Sequence, residues 1–101
     1  MPETVILAIG GNALAPAGLG EFSDQEERAR SVAQTAVRVV AEGHRLLIVH
    51  GNGPQVGALA MAQEAVAREI PPQPLFALGA MTQGQLGYLI AQAVGDALGP
   101  E

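Results

Sequence analysis

The segment from Leu46 to Gly57 (LLIVHGNGPQVG) constrains the fold of this chain more than any other. Its first four residues are apolar without polar alternation, which is typical of a strand covered on both faces in a parallel sheet. Pro54 suits the first turn of a helix, and Asn52 with Gln55 has the spacing of a capping box. The segment therefore predicts a strand, a glycine loop and a helix in direct succession.

A loop of this kind can bind an anion. Gly51 and Gly53 let a ligand approach the main chain closely. Unpaired N–H groups and the helix dipole at a helix N-terminus both favour negative charge. The alternative interpretation is a tight strand-to-helix turn without a ligand, because glycine loops are common in α/β folds.

A second segment of the same type opens the chain. Val5 to Ile9 (VILAI) predicts another buried strand, and Gly10, Gly11 and Asn12 follow it directly. Ligands in open α/β sheets bind at the carboxyl ends of the strands, so two parallel neighbours would open both loops onto one crevice. The alternative for the glycine pair is close packing against a neighbouring backbone.

A helix separates the two predicted strands. Ser23 and Glu26 have capping-box spacing, and the helix is expected to end near Glu42, before Gly43. Strand, helix and strand form a βαβ unit, whose crossover is right-handed in nearly all proteins, so the strands should be parallel.

The rest of the chain predicts two more helices. The first is expected from Pro54 to about Glu69, before a proline-rich linker. The run 75–81 is ambiguous between a short strand and a buried loop, and Thr82 with Gln85 could cap the last helix. Two glycines inside that helix, at positions 84 and 87, indicate that a neighbouring helix, another subunit or a ligand packs tightly against it.

Composition excludes several classes of function. The chain has 101 residues, enough for one domain at most, and a net charge of −5 with five arginines and no lysine, so no basic patch indicates a nucleic-acid partner. It has no cysteine, which fits a reducing compartment and predicts a cytoplasmic location. No basic segment precedes the first apolar run, and no run approaches the roughly 20 residues that span a bilayer, so neither a signal peptide nor a membrane partner is predicted.

Three segments together resemble carbamate kinases, within the amino acid kinase family. They are GGNAL at 10–14, HGNGPQVG at 50–57 and GAMTQGQLGY at 79–88. Their order and spacing are also similar, and the second and third segments are specific. The resemblance covers nearly the whole chain but only the opening part of a complete family member.

This resemblance implies a fold and an activity. The fold would be an α/β three-layer sandwich with a mainly parallel sheet, of which residues 1–101 form the N-terminal portion on the carbamoyl phosphate side, without the nucleotide-binding portion. The activity would be phosphoryl transfer between carbamoyl phosphate and ADP, giving ATP and carbamate, with Mg²⁺. The resemblance assigns no catalytic residue or metal ligand within this chain. The substrate-binding residues it implies are Gly10, Gly11, Asn12, Gly51, Asn52 and Gly53.

His50 has little to do as a base in this chemistry, because the phosphoryl acceptor is already anionic. We expect it to hydrogen-bond locally and fix the loop. Several amino acid kinases have a lysine at the position that Ala8 occupies here, whereas alanine is usual there in carbamate kinases. Ala17 replaces a basic residue that is common in the family, and Phe76 replaces an acidic one.

The resemblance implies that the family's charge-neutralising lysines and its nucleotide pocket lie in a part of the family's sequence beyond these 101 residues, which contain no lysine. We therefore expect no kinase activity from the chain alone. Two or three parallel strands with three helices would also leave a sheet edge and one core face uncovered. We therefore expect a fragment or truncated product, or a chain that associates with itself or with another chain, a homo-oligomer in the simplest case. The alternative function is a non-catalytic module that self-associates or completes a partner chain.

Overall fold

A computed structural model describes residues 2–15 and 21–100, with the backbone alone at positions 11 and 12. Positions 16–20, including Ala17, lie outside the described residues. In chain order the elements are β1 (Thr4–Ile9), α1 (Gly11–Leu14), α2 (Phe22–Ala41), β2 (Arg45–His50), α3 (Gly53–Ala65) and α4 (Leu75–Leu98).

The two strands form a parallel pair, as the βαβ pattern predicts. Thr4 lies opposite Arg45 at one end, and Ile9 lies opposite His50 at the other. The register has no offset or bulge, so both strands end at the same level. The predicted arrangement, with both glycine loops at one edge of one sheet, is therefore confirmed.

One face of this sheet packs on α2 and α4. Ile9 is buried there, and Leu7 and Ile48 are partly buried against the same core. Small residues of α2, among them Ala29 and Ala33, let α4 approach closely and bury its own aliphatic side chains. The buried members of the core are Ile9, Leu14, Ala29, Ala33, Leu86, Leu89, Ile90 and Ala93.

The other face of the sheet is open among the described residues. This is the uncovered core face expected of so few strands and helices, and it corrects the expectation from the apolar runs that each strand is covered on both sides. Ile6, Leu47 and Val49 are 63%, 51% and 45% exposed. The described helices form a single layer against this two-stranded sheet. The apolar sequence of the strands suits two covered faces, but the described residues supply cover for only one.

Helix α2 begins two residues earlier than its predicted capping box requires. Glu21 is the N-cap, and the Asp24 carboxylate accepts a hydrogen bond from the Glu21 N–H at 3.1 Å. The predicted pair, Ser23 and Glu26, therefore lies inside the helix. Asp24 lies in the first turn, where its charge also suits the helix dipole.

Helix α4 is longer than predicted. It begins at Leu75, directly after Pro74 as N-cap, so the run 75–81 is neither a strand nor a loop. Thr82 does not cap the helix, since it lies inside it and donates to the carbonyl oxygen of Leu78 at 2.9 Å. Helix α3 is shorter than predicted, ending at Ala65 and followed by turns.

Within residues 2–15 and 21–100, no helix combines the length and apolarity needed to cross a membrane.

Candidate functional site at the strand tips

The two glycine loops adjoin each other at the carboxyl ends of β1 and β2. Gly51 continues the strand pairing by one residue, because its N–H donates to the carbonyl oxygen of Ile9 at 3.0 Å. A shallow depression of about 300 Å³ lies here and is lined by Ala8, Ile9, Gly10, Val49, His50 and Gly51. The geometry therefore places residues of both loops around one small open space.

Gly10 borders this space without a packing reason to be glycine. A Cβ built on Gly10 would meet no described atom within 4 Å, and its φ lies outside the left-handed region. A Cβ built on Gly53, in the first turn of α3, would likewise meet no described atom within 4 Å, and its φ also lies outside the left-handed region. Close packing against a neighbouring backbone, the alternative for Gly10, is thus not what the described residues show, and the space beside both residues is open to a ligand.

The first loop turns directly into α1. The Gly10 carbonyl oxygen accepts the N–H of Ala13 at 3.0 Å, which closes the turn. Gly11 and Asn12 are the first residues of α1, where N–H groups lack partners within the helix. The structure describes no side chain at Asn12, so its sequence-predicted role rests on the backbone position alone.

The side chain of Asn52 is directed into the protein. Its Nδ2 donates to the carbonyl oxygen of Gly79 at 3.1 Å and to Oγ1 of Thr82 at 2.7 Å. Because a carbonyl oxygen can only accept, the nitrogen end of the amide must face α4. Asn52 is the N-cap of α3, but its side chain makes no capping bond, which corrects the capping box predicted with Gln55.

The imidazole ring of His50 lies between the second glycine loop and α4. Its Nδ1 lies 3.3 Å from the carbonyl oxygen of Gly51, so the ring donates there when the proton is on Nδ1. Its Nε2 would lie 3.4 Å from a Cβ built on Gly87 in α4. The expected local hydrogen bond is present, and the close neighbour of Gly87 is this imidazole ring. A Cβ on Gly84 would meet nothing within 4 Å.

The electrostatics of the site come from backbone groups. Neither loop contains lysine or arginine, and Arg45 starts β2 at the far end, about 16 Å from His50 at strand spacing. The first turn of α3, a helix of 13 residues, directs N–H groups and the positive end of its dipole toward the strand tips. Among the described residues, no group of three or more His, Asp or Glu side chains could hold a metal ion.

A larger groove of about 800 Å³ follows β2 and the second half of α4. Its lining is mostly aliphatic residues and glycine, with His44, Arg45 and His50 as the polar exceptions. It includes no N–H-rich loop, so we place the candidate site in the smaller depression. Sequence analysis missed the contribution of α4, since Gly79 and Thr82 approach Asn52 only in the folded chain.

The family model described as "Amino acid kinase family" matches residues 3–99. The carbamate kinase of Pyrococcus horikoshii is 42% identical over 101 residues, covering 97% of this chain and 32% of the relative. That of Escherichia coli K12 is 42% identical over 92 residues, covering 91% and 31%. This chain thus spans about a third of the length of these curated relatives.

Solved structures agree with the sequence comparison. Carbamate kinase from Giardia lamblia bound to AMP-PNP superimposes with a TM-score of 0.88 at 35% identity, covering 95% of this chain and 34% of that one. The same Giardia enzyme bound to citric acid gives a TM-score of 0.88. The α/β fold class with a mainly parallel sheet is therefore confirmed. The chain belongs to the amino acid kinase family, and its relatives within that family are carbamate kinases.

Proposed function

We propose that this chain forms the carbamoyl phosphate side of a carbamate kinase. The observation that carries the proposal is the pairing of β1 with β2, which brings the two glycine loops to one open depression. The similarity to carbamate kinases supplies the identity of the anion. Residues 1–101 would be the N-terminal portion of the domain, and the nucleotide would bind to a portion outside them.

In the proposed reaction, the phosphoryl group of carbamoyl phosphate passes to the terminal phosphate oxygen of ADP. The bond between phosphorus and the carbamate oxygen breaks, which gives ATP and carbamate. Phosphoryl transfer depends on positioning and on stabilising charge spread over several oxygens. The backbone N–H groups of Gly10, Gly11, Asn12, Asn52 and Gly53 would supply this by hydrogen bonding to the substrate.

The roles of the remaining groups follow from their bonds. The Gly51 N–H is bonded to Ile9 and the Asn52 side chain to α4, so we propose that Gly51 provides close approach and that the Asn52 side chain positions the loop. Mg²⁺ would act in the complete enzyme together with ADP or ATP. The described residues offer it no cluster of carboxylates, so we derive no step through it in this chain.

We also propose that the 101-residue chain alone does not catalyse this phosphoryl transfer. Neutral N–H donors can position a phosphoryl group, but phosphoryl transfer also uses cationic groups or metal ions, and neither glycine loop has a lysine or an arginine. A coupled assay of ATP formation from carbamoyl phosphate and ADP tests this. We expect the non-enzymatic rate, and faster turnover would contradict the proposal.

Anion binding is tested separately by NMR. Titration of the ¹⁵N-labelled chain with carbamoyl phosphate should shift the amide resonances of Gly10 and Gly53, with inorganic phosphate as a second probe. The amide of Gly57, one turn further along α3, is the internal control and should stay in place. Absence of any shift in both loops would contradict the proposed site.

A second function is favoured by one observation, the open sheet face. Exposed Ile6, Leu47 and Val49 suit a chain that self-associates as a homo-oligomer or completes a partner chain without catalysis. Both proposals are compatible with a cytoplasmic location, which the lack of cysteine predicts. Saturable anion binding in the strand-tip loops would favour the first function over the second.

A further inference from the structure

The third motif, GAMTQGQLGY at 79–88, has no role in the strand-tip site described above. The structure shows it as the first half of α4, which lies against the second glycine loop at two points. Asn52 donates its amide to Gly79 and Thr82, and Nε2 of His50 would lie 3.4 Å from a Cβ built on Gly87. Of the two residues on either side of Gly51, Asn52 is therefore held to α4 by hydrogen bonds, and His50 lies beside the same helix.

Thr82 is the central contact of this arrangement. The residue is only 1% exposed, and its hydroxyl accepts from Asn52 at 2.7 Å while donating to the carbonyl oxygen of Leu78 at 2.9 Å. The Gly79 carbonyl oxygen lies 3.2 Å from the same hydroxyl. The back-bond to Leu78 alone would satisfy a buried threonine in a helix. The bond from Asn52, 30 residues away, is an additional contact that joins the loop to α4.

This contact fixes the direction of the first turn of α3. Asn52 is the N-cap of that helix, and its backbone carbonyl oxygen accepts the N–H of Val56 at 2.9 Å. Holding the Asn52 side chain therefore holds the peptide groups that lead into Gly53. Preorganised donors bind an anion more tightly than mobile ones, because no ordering cost arises on binding.

We infer that Thr82 is a positioning residue for the anion site: through the Asn52 amide it fixes the N–H groups at the start of α3. It acts through Asn52 and does not touch the substrate. The inference rests on the proposed function for its effect on affinity, but the contact itself can be tested without a ligand.

The test uses the ¹⁵N-labelled 101-residue chain with the variants T82V and T82S. Valine keeps the shape of threonine without a hydroxyl, and serine keeps the hydroxyl. The matched control is T35V, the same change at an exposed position of α2. The affinity probe is carbamoyl phosphate, followed by the Gly53 amide shift.

We expect T82V to weaken carbamoyl phosphate binding by about fivefold or more, as loss of one buried hydrogen bond implies. T82S and T35V should stay within about twofold of the unmodified chain. A folded T82V chain that binds as tightly as the unmodified one would overturn the inference. If T82V does not fold, T82C compared with T82S gives the same test, because a thiol is a weak hydrogen-bonding group.

The ligand-free spectrum separates this inference from the proposed function. If the unmodified chain shows no shift with carbamoyl phosphate, the proposed function fails, and the side-chain amide of Asn52 then decides the inference. Its two proton resonances should move toward those of a solvated amide in T82V and stay in place in T82S. Unchanged Asn52 resonances in T82V would overturn the inference whatever the anion does.

Discussion

At the scale of single residues, the described glycines differ in what requires them. Gly43 and Gly99 have φ values of 88° and 78°, which other residues rarely adopt, so the backbone itself requires glycine there. Gly10 and Gly53 do not have such angles, and no described atom beyond their chain neighbours lies within 4 Å of a Cβ built on either. The proposed anion site would give glycine a role at both strand tips.

We predict that G53A weakens anion binding with little change in stability. No described atom beyond the chain neighbours would contact the new methyl group, but the ring of Pro54 disfavours helical angles for a preceding residue with a Cβ, which offsets the gain in helix propensity of up to about 1 kcal/mol. The methyl would lie beside the N–H groups proposed to bind carbamoyl phosphate, so affinity should fall by about tenfold. Urea unfolding and the NMR titration measure the two effects.

The control for this change is G57A. Gly57 also lies in α3 and also faces open space, but one turn beyond the loop. No proline follows it, so G57A should gain up to about 1 kcal/mol of stability and bind carbamoyl phosphate like the unmodified chain. Equal affinity of G53A and G57A would count against the anion site.

We predict that N52D destabilises the chain. The carboxylate cannot donate to the carbonyl oxygen of Gly79, so two acceptors would face each other at the distance now spanned by a 3.1 Å hydrogen bond. The free energy of unfolding at neutral pH should fall by about 1–3 kcal/mol. Denaturant titration followed by circular dichroism measures it.

Q92E is the matched change from amide to carboxylate. Gln92 donates to Asp96 at 3.2 Å on the exposed side of α4, where water can replace the lost bond. Q92E should lower the free energy of unfolding by only about 0.5 kcal/mol, which is typical of surface changes and of like charges one turn apart. A loss in N52D no larger than in Q92E would show that the Asn52 contact is unimportant for stability.

At the scale of elements, sequence analysis predicted the strands well and the helix boundaries less well. Two apolar runs and the helix between them fixed the parallel pair and the placement of the loops. The start of α4 was missed because LFALGAM at 75–81 has no period that separates a strand from a buried helix. Leu78 is buried in the folded chain, and the tertiary packing that buries it cannot be predicted from the local sequence.

The capping errors have a similar cause. Asn52 and Thr82 each have the side chain and spacing of an N-cap, and each bonds to a partner that only the fold brings near. Asn52 is still the N-cap of α3, but its side chain bonds to Thr82 instead of capping the helix, and Thr82 is not a cap because α4 already begins at Leu75. The third predicted box, at Ser23, is wrong because α2 is capped at Glu21. Sequence analysis found the second glycine loop of the site, but it missed the helix that supports it.

We predict that leucine is tolerated at position 84 and not at 87. Both changes improve helix propensity, but a Cβ on Gly87 already lies 3.4 Å from Nε2 of His50, and the longer side chain must displace the ring. G87L should be less stable than G84L by about 1–3 kcal/mol. The imidazole resonances of His50 should shift in G87L alone. Equal stability of the two variants, with unshifted His50 resonances, would show that α4 does not hold His50.

At the scale of the whole molecule, the chain exposes more surface than its mass requires. Its accessible surface is 6695 Å², whereas a compact monomer of 10.3 kDa exposes about 5,400 Å². Its radius of gyration, 15.7 Å, also exceeds the roughly 13 Å typical of 100 residues. The excess surface on this one chain, about 1,300 Å², is larger than the roughly 800 Å² that each partner buries in a standard protein interface.

The apolar strands predicted two covered faces, and the part of the chain that the structure describes places no element over the second. Relatives three times as long share this segment. What covers the face therefore depends on residues or chains outside the described ones, and no pattern within 101 residues could predict it.

We predict that the 101-residue chain self-associates through this face, with a second copy as the occupant. Ile6 and Leu47 project from it, and burying both against another copy would remove apolar surface from water. In sedimentation velocity, the unmodified chain should sediment above its monomer mass. The double variant I6T/L47T should shift toward the monomer, since threonine suits a strand but adds little apolar surface.

M61Q is the control, because Met61 is 68% exposed on α3, away from the sheet, and its replacement should leave the oligomer unchanged. A monodisperse monomer that unfolds cooperatively without either substitution would contradict self-association, because the open sheet face would then be stable in water.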